Sequence, residues 1–274
     1  MKQCVQKILE KLGYSIRRNS TLKPFSPFVR EFNFPEASFR MWIANNDDVT
    51  WYPKDWDKFG EYRALRKLVK KGDRILEIGS HHGFTGMLLA KFAGEGGVLS
   101  VEAHPQNAMV AQAQLGLNRS LQNLKFIHSA ASDVPGTVKI ITGHNSNVVN
   151  ESSKAASQNV ADLIEVPAVT GDMLDKEYGP FDVVKIDVEG YEIEVLKGCS
   201  NLLERTPKIA LEIHMDWLRW RGQPVADIFK LIDVNRYEGE MVLRPEQADT
   251  VRVFDSTAIP LNGAANVFLE RKQL

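Results

Sequence analysis

The chain has 274 residues, of which 43% are hydrophobic and 25% are charged, and it carries a formal net charge of -1. The length predicts one large α/β domain with a short appendage, and the near-zero charge argues against a general electrostatic attraction to nucleic acid. The only cysteines are Cys4 and Cys199, too few for a disulfide framework, and no apolar run reaches the roughly 18–20 residues of a membrane span. We therefore expect a cytoplasmic protein without a membrane-spanning segment.

Residues 1–60 are expected to form an N-terminal cap of helical and irregular structure, followed by a larger domain at 61–274. Val5, Ile8 and Leu12 recur at helical spacing and predict a helix that packs on the body of the protein. A helix that binds a membrane surface or a partner is the alternative for this segment. The rest of the cap is rich in aromatic residues and lacks a regular period.

From about Tyr62 the chain alternates between helical and strand patterns. In chain order the pattern predicts a helix at 61–70, a strand at 74–78, a helix at 84–93, a strand at 98–103, a helix at 105–117, and strands at 125–130 and 136–141. The stretch 143–159 is polar, with little apolar material, and predicts a long mobile loop.

The second half repeats this alternation. The pattern predicts a strand at 181–188, a helix at 191–204, a strand at 208–214, a helix at 225–235, and two or three further strands that include 266–272. Strands that alternate with helices over this length are joined by right-handed crossovers and run parallel, so we expect a doubly wound α/β sheet.

The segment ILEIGSHHGFTG, residues 75–86, follows the first strand of this domain and opens a helix. A dinucleotide-binding loop needs the pattern G-x-G-x-x-G, because its second glycine lets the backbone approach a pyrophosphate. Here His81 stands at the position of that second glycine. Glu77, two residues before Gly79, would repel a phosphate and would suit a cationic ligand. The loop therefore disfavours NAD, although an NAD-type oxidoreductase stays an alternative.

S-adenosylmethionine is a nucleoside cofactor with an ammonium, a sulfonium and no phosphate. Glu102 ends the second strand, 23 residues after Gly79, and is placed to bind a ribose diol through both carboxylate oxygens. Glu77 and Glu102 together, around this loop, favour S-adenosylmethionine as the cofactor.

At this point the sequence resembles the FkbM-type family of S-adenosylmethionine-dependent methyltransferases. The likeness rests on four segments in order: ILEIGSHHGFTG, VLSVEAHPQN, SAASD, and VVKIDVEGYEIEVLKG followed by ALEIH. The resemblance implies a class I, Rossmann-like methyltransferase fold with a seven-stranded sheet whose last strand is antiparallel. It also implies methyl transfer to a hydroxyl of a sugar, a polyketide or another small metabolite.

The resemblance also implies which residues hold the cofactor. The methionine end would be lined by loop residues, which are Glu77, Gly79, Ser80, His81 and Gly83. Glu102 would hold the ribose, and Ala131, Ser132 and Asp133 would lie beside the adenine. The family usually has an aspartate where Glu77 stands and an Ala-Asn pair where Ser80 and His81 stand.

Methyl transfer to an alcohol needs an aligned acceptor oxygen and a base that removes its proton. Strand alternation in FDVVKIDVEG predicts that Lys185, Asp187 and Glu189 share one face, with Asp187 toward the methyl group. Asp187, Glu189 and His214, which ends the strand KIALEIH, are the candidate bases. Lys185 has either a catalytic part or an ion pair with Asp187, Glu77 or Glu212.

Asp187, Glu189 and His214 are also residue types that hold divalent metals, but no matching ligand set occurs elsewhere, so we expect no metal. A nucleic-acid methyltransferase is disfavoured because the Asn/Asp-Pro-Pro-aromatic motif is missing. A non-catalytic binding protein with this fold is a further alternative. The expected partner is a small hydroxylated acceptor, bound by the cap, the 143–159 loop or the segment 217–221.

Overall fold

The computed structural model describes residues 25–141, 148–149, 163–206, 208–243 and 251–272. The helix predicted around Val5 to Leu12 lies outside these residues, as does most of the loop predicted at 143–159. Within that loop, residues 148–149 form a short strand that pairs with residues 139–140. None of the helices in the described parts combines the length and the apolar composition needed to cross a bilayer.

The strands, labelled in chain order, group into three sheets. Their bounds are β1 Phe28–Phe34, β2 Ala37–Ile43, β3 Ile75–Ile78, β4 Val98–Glu102, β5 Leu124–His128, β6 Ala130–Ala131, β7 Gly136–Ile141, β8 Val148–Val149, β9 Leu163–Val169, β10 Val183–Ile186, β11 Lys208–His214, β12 Tyr237–Leu243, β13 Val251–Val253 and β14 Ala264–Arg271.

The helices lie between these strands and cover both faces of the largest sheet. Their bounds are α1 Asn46–Trp51, α2 Gly60–Leu68, α3 Phe84–Ala93, α4 Pro105–Leu117, α5 Gly171–Tyr178, α6 Glu192–Lys197, α7 Ser200–Arg205, α8 Met215–Trp220 and α9 Ile228–Leu231.

The largest sheet has the strand order β13-β12-β14-β11-β10-β3-β4-β5. Strands β11, β10, β3, β4 and β5 are mutually parallel, and β14 runs antiparallel to β11. The predicted doubly wound α/β sheet with an antiparallel last strand is confirmed. The predicted count of seven strands is one too low, because β13 pairs with β12 and extends the sheet at that edge.

Side-chain alternation places successive residues of each central strand in different cores. Leu76 and Ile78 of β3 pack in one apolar cluster, whereas Ile75 packs in the other. The second cluster also holds Val98, Val183 and Ala210 from the neighbouring strands. Glu77, Ser100, Lys185, Glu212 and His214 have the same parity as these residues, so the polar groups of four strands share one face.

That face is covered by α2, α3 and the cap. The cap is not irregular at 28–43, because β1 and β2 form an antiparallel hairpin with Phe34 opposite Ala37. Alternation along the hairpin buries one face, including Phe32 and Phe39, against α3. Their rings lie 5.1 and 5.6 Å from the ring of Phe84. Aromatic rows in the cap therefore pack as a β-hairpin with period two, a pattern that the sequence interpretation missed.

The outer edge of β2 is satisfied by two side-chain amides, one in α4 and one in the residue directly after it, instead of by another strand. Gln114 accepts a hydrogen bond from the backbone N–H of Trp42 at 2.8 Å and donates to its carbonyl at 3.2 Å. Asn118 makes the same pair of bonds with Arg40, at 2.9 and 2.6 Å. Both amides are buried, so these bonds fix the hairpin against the main sheet.

Most predicted elements occur within a few residues of their expected bounds. The helices at 84–93 and 105–117 and the strands at 136–141 and 208–214 have the predicted limits. The helix predicted at 191–204 is divided into α6 and α7, and the one predicted at 225–235 contains only one short α-helix, α9. Strand β9 and helix α5 were not predicted. With the short β6 and β8, β7 and β9 form a separate four-stranded sheet.

Candidate active site

A cleft of about 600 Å³ lies at the carboxyl ends of the central strands, under the cap. Its floor comes from the ends of β3, β4, β10 and β11, and its outer wall is aromatic, with Trp51, Tyr52, Trp56 and Phe59. Ligands of open parallel sheets bind at this edge, where the connections to the helices diverge. The cleft is therefore the place where the predicted cofactor and acceptor residues have to meet.

The glycine loop closes tightly against the end of β10. Gly79 has φ +86°, and a Cβ there would lie 1.7 Å from the carbonyl oxygen of Asp187, so no other residue fits. Ser80 and His81 follow it into the cleft lining, and the buried hydroxyl of Ser80 has no hydrogen-bond partner within the described structure. Gly83, also expected at the methionine end, directly precedes α3 and packs on the ring of Phe126, so it is not part of the cleft lining.

Glu102 ends β4 with its carboxylate held in one orientation. Its Oε2 accepts the backbone N–H of His81 at 2.7 Å, and its Oε1 accepts the backbone N–H of His104 at 2.8 Å. The side chain lines the cleft although only 7% of it is exposed. Burial raises the pKa of Glu102 to about 7, against the lowering effect of the two backbone N–H groups. Each oxygen keeps lone-pair capacity for a ligand hydroxyl.

The two histidines of the loop connect it to the cap. The hydroxyl of Tyr52 lies 2.5 Å from His81 Nδ1, and His82 Nδ1 lies 2.7 Å from Asp48 Oδ1. The two imidazoles stack with centroids 3.9 Å apart. Burial, with the nearby His82, lowers the pKa of His81 to about 3, so this imidazole is neutral near pH 7. His81 also has φ +47°, the left-handed conformation that a glycine would adopt more readily.

Glu77 does not line the cleft, which corrects its expected place at the methionine end of the cofactor. Its carboxylate is fully buried on the face covered by α3, where Ser100 donates a hydrogen bond to Oε2 at 2.5 Å. Lys185 Nζ lies 4.0 Å from Oε1. The absence of a side chain at Gly86 makes space for this carboxylate, since a Cβ there would lie 2.6 Å from Glu77 Oε2. Burial raises the pKa of Glu77, and Lys185 opposes that shift.

Of the three residues expected beside the adenine, only Ala131 lines the cleft, together with Ser129 and Ala130. Ser132 is buried behind them and makes a 3.0 Å hydrogen bond with the hydroxyl of Tyr191. Asp133 is exposed to solvent. The chain turns outward after Ala131, so the segment enters the site two residues earlier than expected.

Lys185 lies under the cleft and holds Asp187 at its edge. Its Nζ is 3.3 Å from Asp187 Oδ2, and the lysine is 5% exposed. Burial opposes its charge, but the carboxylates of Asp187 and Glu77 raise the pKa of Lys185 above its usual range. Asp187 lines the cleft directly after β10. Lys185 thus orients Asp187, which faces the space above the glycine loop.

Strand alternation does not extend to Glu189, contrary to expectation. Strand β10 ends at Ile186, and Glu189 has φ +49°. The backbone therefore leaves the extended strand conformation before it reaches Glu189. Asp187, Val188 and Glu189 therefore all line the cleft. The turn returns Glu189 toward β11 and brings its Oε2 to 3.5 Å from His214 Nε2.

His214 is surrounded by carboxylates. Its Nδ1 lies 2.8 Å from Glu192 Oε1, while its Nε2 faces Asp187 at 3.9 Å and Glu212 at 3.8 Å as well as Glu189. Burial lowers the pKa of His214, but the hydrogen bond to Glu192 and the charges of Glu212 and Glu189 outweigh it and raise the pKa to about 10. The imidazole is therefore protonated near pH 7. This disfavours His214 as the proton-accepting base.

The described lining of the cleft carries an excess of acidic groups. It includes five carboxylates and no lysine or arginine; the acids are Glu61, Glu102, Asp187, Glu189 and Glu212. Trp217 and Trp220 are outside this lining, and Trp217 packs over Gly190 instead, where a Cβ would lie 2.3 Å from it. The cleft thus attracts cations and presents no basic stripe to a phosphate backbone.

A family model for the FkbM methyltransferase domain matches residues 77–242, more than half of the chain. The chain belongs to the FkbM methyltransferase family. S-adenosylmethionine is therefore its methyl donor. The cleft fits that group in three respects: it favours cations, Glu102 offers two oriented acceptors for a ribose diol, and the buried Ser80 hydroxyl is without a partner.

Comparison with individual proteins gives more distant matches. A hexuronic acid methyltransferase of Haloferax volcanii is 36% identical over 70 residues, which cover 26% of this FkbM-family chain and 27% of that protein. A S-adenosylmethionine-dependent methyltransferase from Aquifex aeolicus is 13% identical, with a TM-score of 0.45 over 83% of this chain and 99% of the other. An O-methyltransferase from Thermotoga maritima is 15% identical, with a TM-score of 0.42 over 83% of this chain and 71% of the other.

Several residues of the site were not expected from the sequence. From the cap and α2 they are Trp51, Tyr52 and Glu61; from the first turns of the helices that follow β3, β4 and β10 they are Thr85, Asn107 and Glu192. A glutamate at the start of a helix ordinarily interacts with the helix N-terminus, so Glu192 gave no indication of its bond to His214. The cap aromatics were visible in the sequence, but their positions depend on a hairpin that was read as irregular.

Proposed function

We propose that this protein transfers the methyl group of S-adenosylmethionine to a hydroxyl group of a small, sugar-like acceptor. The observation that carries the proposal is the convergence of two groups in one cleft. Glu102, oriented by two backbone N–H groups, supplies the diol-binding carboxylate, and Asp187 supplies a carboxylate at the edge where an acceptor enters. S-adenosylmethionine, when bound, supplies an activated methyl group on a sulfonium.

Asp187 takes the proton of the acceptor hydroxyl in this proposal. Lys185 holds Oδ2 at 3.3 Å, while Oδ1 points to the side of His214. The carboxylate is 29% exposed, so an acceptor in the cleft can reach it. A fixed carboxylate next to an acceptor oxygen combines orientation with general-base assistance.

In this proposal His214 supplies positive charge beside the carboxylates of the cleft and is not the base. Its protonated Nε2 faces the carboxylates of the cleft, and Glu192 holds the ring through Nδ1. The group therefore supplies positive charge next to Asp187 and Glu189. It balances part of the negative charge that these residues bring to the acceptor side of the cleft.

A sugar-like acceptor is supported by the aromatic wall and by one relative. Trp51 and Phe59 line the cleft and are each 40% exposed, which suits packing against the apolar face of a sugar ring. The Haloferax volcanii relative is described as a hexuronic acid methyltransferase. A hexose or a hexuronic acid is therefore the acceptor class to test first.

The test is a methyl-transfer assay with labelled S-adenosylmethionine and a panel of hexoses, hexuronic acids and nucleic acids. We expect label in a sugar product that survives mild alkaline hydrolysis, because a methyl ether is stable under conditions that cleave a methyl ester. Label lost on hydrolysis would place the methyl on a carboxyl group and contradict the hydroxyl assignment. Label in RNA but in none of the sugars would contradict the acceptor class.

A further inference from the structure

We propose that Asp187, Glu212 and His214 form a divalent cation site that holds the acceptor in the cleft. These residues come from the ends of the adjacent strands β10 and β11, and one ligand atom from each lies within 4.8 Å of the others. The inference rests on the proposed function for its role, but the binding of the ion is a separate property.

The distances around His214 suit a shared ion better than direct hydrogen bonds. Nε2 lies 3.8 Å from Glu212 Oε1 and 3.9 Å from Asp187 Oδ1, both beyond hydrogen-bond length. Neighbouring ligand atoms around one divalent ion, at about 2.1–2.6 Å from it, are roughly 3.0–3.7 Å apart. Both His214 distances slightly exceed the upper end of that range, and the ligand oxygens of Asp187 and Glu212 lie within 4.8 Å of each other.

Glu192 gives an independent indication, because it lies outside the ligand set and orients the histidine. Its Oε1 accepts the Nδ1–H of His214 at 2.8 Å, so Nε2 is the nitrogen that faces Asp187 and Glu212. Glu192 is itself fully buried, and its second oxygen has no partner within the described structure. Metal-binding histidines typically donate their other ring N–H to such a carboxylate, which fixes the tautomer.

The charge of the cleft is also consistent with a cation at this point. Five carboxylates and no lysine or arginine occur in its described lining, and Lys185 lies beneath, next to Asp187 and Glu77. A hexuronic acid would bring another negative charge into this environment. A divalent ion offsets the repulsion between this charge and the carboxylates of the cleft. It can also bind two oxygens of the acceptor, either two hydroxyls or a hydroxyl and a carboxylate.

Two carboxylates and one imidazole suit Mn²⁺, Mg²⁺ or Zn²⁺ and leave positions for acceptor oxygens. As the ion binds, the proton on Nε2 of His214 leaves to solvent, and Nδ1 keeps its hydrogen toward Glu192. Asp187 binds the ion through Oδ1, which lies on the side of His214, and its Oδ2 next to Lys185 stays the oxygen that takes the proton of the acceptor.

The test uses Mn²⁺ as the probe and electron paramagnetic resonance of the full chain, without cofactor or acceptor. We expect saturable binding of one Mn²⁺ per chain. Glu212→Gln should weaken it at least tenfold, and Glu192→Gln should weaken it about 10–100-fold, as losses of outer-shell carboxylates do. Glu240→Gln is the matched control, because Glu240 lies on β12 and pairs with Lys67 outside the cleft, and it should bind like the wild type.

Absence of saturable binding below millimolar Mn²⁺, or equal binding by Glu212→Gln, overturns the cation site. Circular dichroism and S-adenosylhomocysteine binding check that each variant is folded, and Asp187→Asn serves as a second ligand variant if Glu212→Gln is unfolded. Methyl transfer is measured separately after treatment with a chelator. Full activity without Mn²⁺ binding would reject the ion and keep the proposed function. Stoichiometric Mn²⁺ binding without transfer to any hydroxylated acceptor would reject the proposed function alone.

Discussion

The carboxylate of Glu102 should make cofactor binding depend on pH, and Glu102→Gln should remove that dependence. The side chain is 7% exposed, and burial raises its pKa from 4.5 to about 7. A ribose diol donates hydrogen bonds to the ionised form, so affinity is full above pH 7 and falls as the pH drops through that value. At pH 6 the free protein is mostly protonated at Glu102, and binding should be roughly tenfold weaker than at pH 8.

The magnitude for the variant follows from the loss of a charged acceptor. Hydrogen bonds to charged groups contribute about 1.5–3 kcal/mol, so Glu102→Gln should weaken binding by roughly ten- to a hundredfold at pH 8. The glutamine amide also turns an NH₂ group toward one of the two backbone N–H groups that now bond to Glu102. That mismatch lowers the stability of the variant. In the wild type, the buried Glu102 charge itself destabilises the fold by about 3 kcal/mol above pH 7, and this cost disappears as the pH falls toward 4.5. Glu102→Gln removes that cost, which offsets the mismatch.

Isothermal titration with S-adenosylhomocysteine at pH 6, 7 and 8 measures both effects, and thermal unfolding monitors stability. Glu204→Gln is the matched control, since Glu204 is exposed and pairs with Arg236 away from the cleft. The control should follow the wild-type pH profile. A flat wild-type profile, or equal affinity of Glu102→Gln at pH 8, would refute the placement of the ribose at Glu102.

Three further predictions concern the floor of the cleft. Asp187→Asn should lower turnover at least about 10²-fold in steady-state kinetics, which is the loss typical of a general base. The same variant should change the affinity for S-adenosylhomocysteine less than about tenfold in calorimetry. Gly79→Ala should leave little folded protein in circular dichroism, because its Cβ meets the Asp187 carbonyl at 1.7 Å; a fully folded variant would contradict this packing. Lys185→Met leaves Glu77 without its cation and should cost about 3–5 kcal/mol in urea unfolding, whereas an unchanged midpoint would show that the pair contributes nothing.

The order of the central elements could be predicted from sequence because apolar periodicity decides it locally. Strand β11 and helix α4 have the predicted bounds, since their patterns are long and their ends are marked by polar or proline residues. The hairpin β1–β2 was missed because its alternation is carried by aromatic and polar residues in a segment outside the strand–helix alternation of the rest of the chain. Its register depends on contacts with α4, which is more than 60 residues away along the chain.

Residue types at the site were recognised more readily than their orientations. Glu77 is the second-last residue of β3 and Glu102 is the last of β4, both near the glycine loop, yet Glu77 faces α3 and Glu102 faces the cleft. The difference depends on Gly86 and Ser100, which make room for Glu77 and bond to it. Glu192 could not be assigned from sequence, because its contact with His214 depends on the positive-φ turn at Glu189 that ends strand alternation.

The amides of Gln114 in α4 and of Asn118, the residue that caps its C-terminus, fix the position of the cap relative to this helix. Four residues of an α-helix rise about 6 Å, and two residues of a strand span about 6.6 Å, so one helical turn is commensurate with the spacing of Arg40 and Trp42 on β2. A one-residue shift of β2 would present the wrong edge of the strand to both amides at once. The helix that follows Glu102 thereby sets where the hairpin ends, and α1 begins only three residues after β2. The distance from Glu102 to the aromatic wall therefore depends on α4, a helix that contributes little of the cleft surface itself.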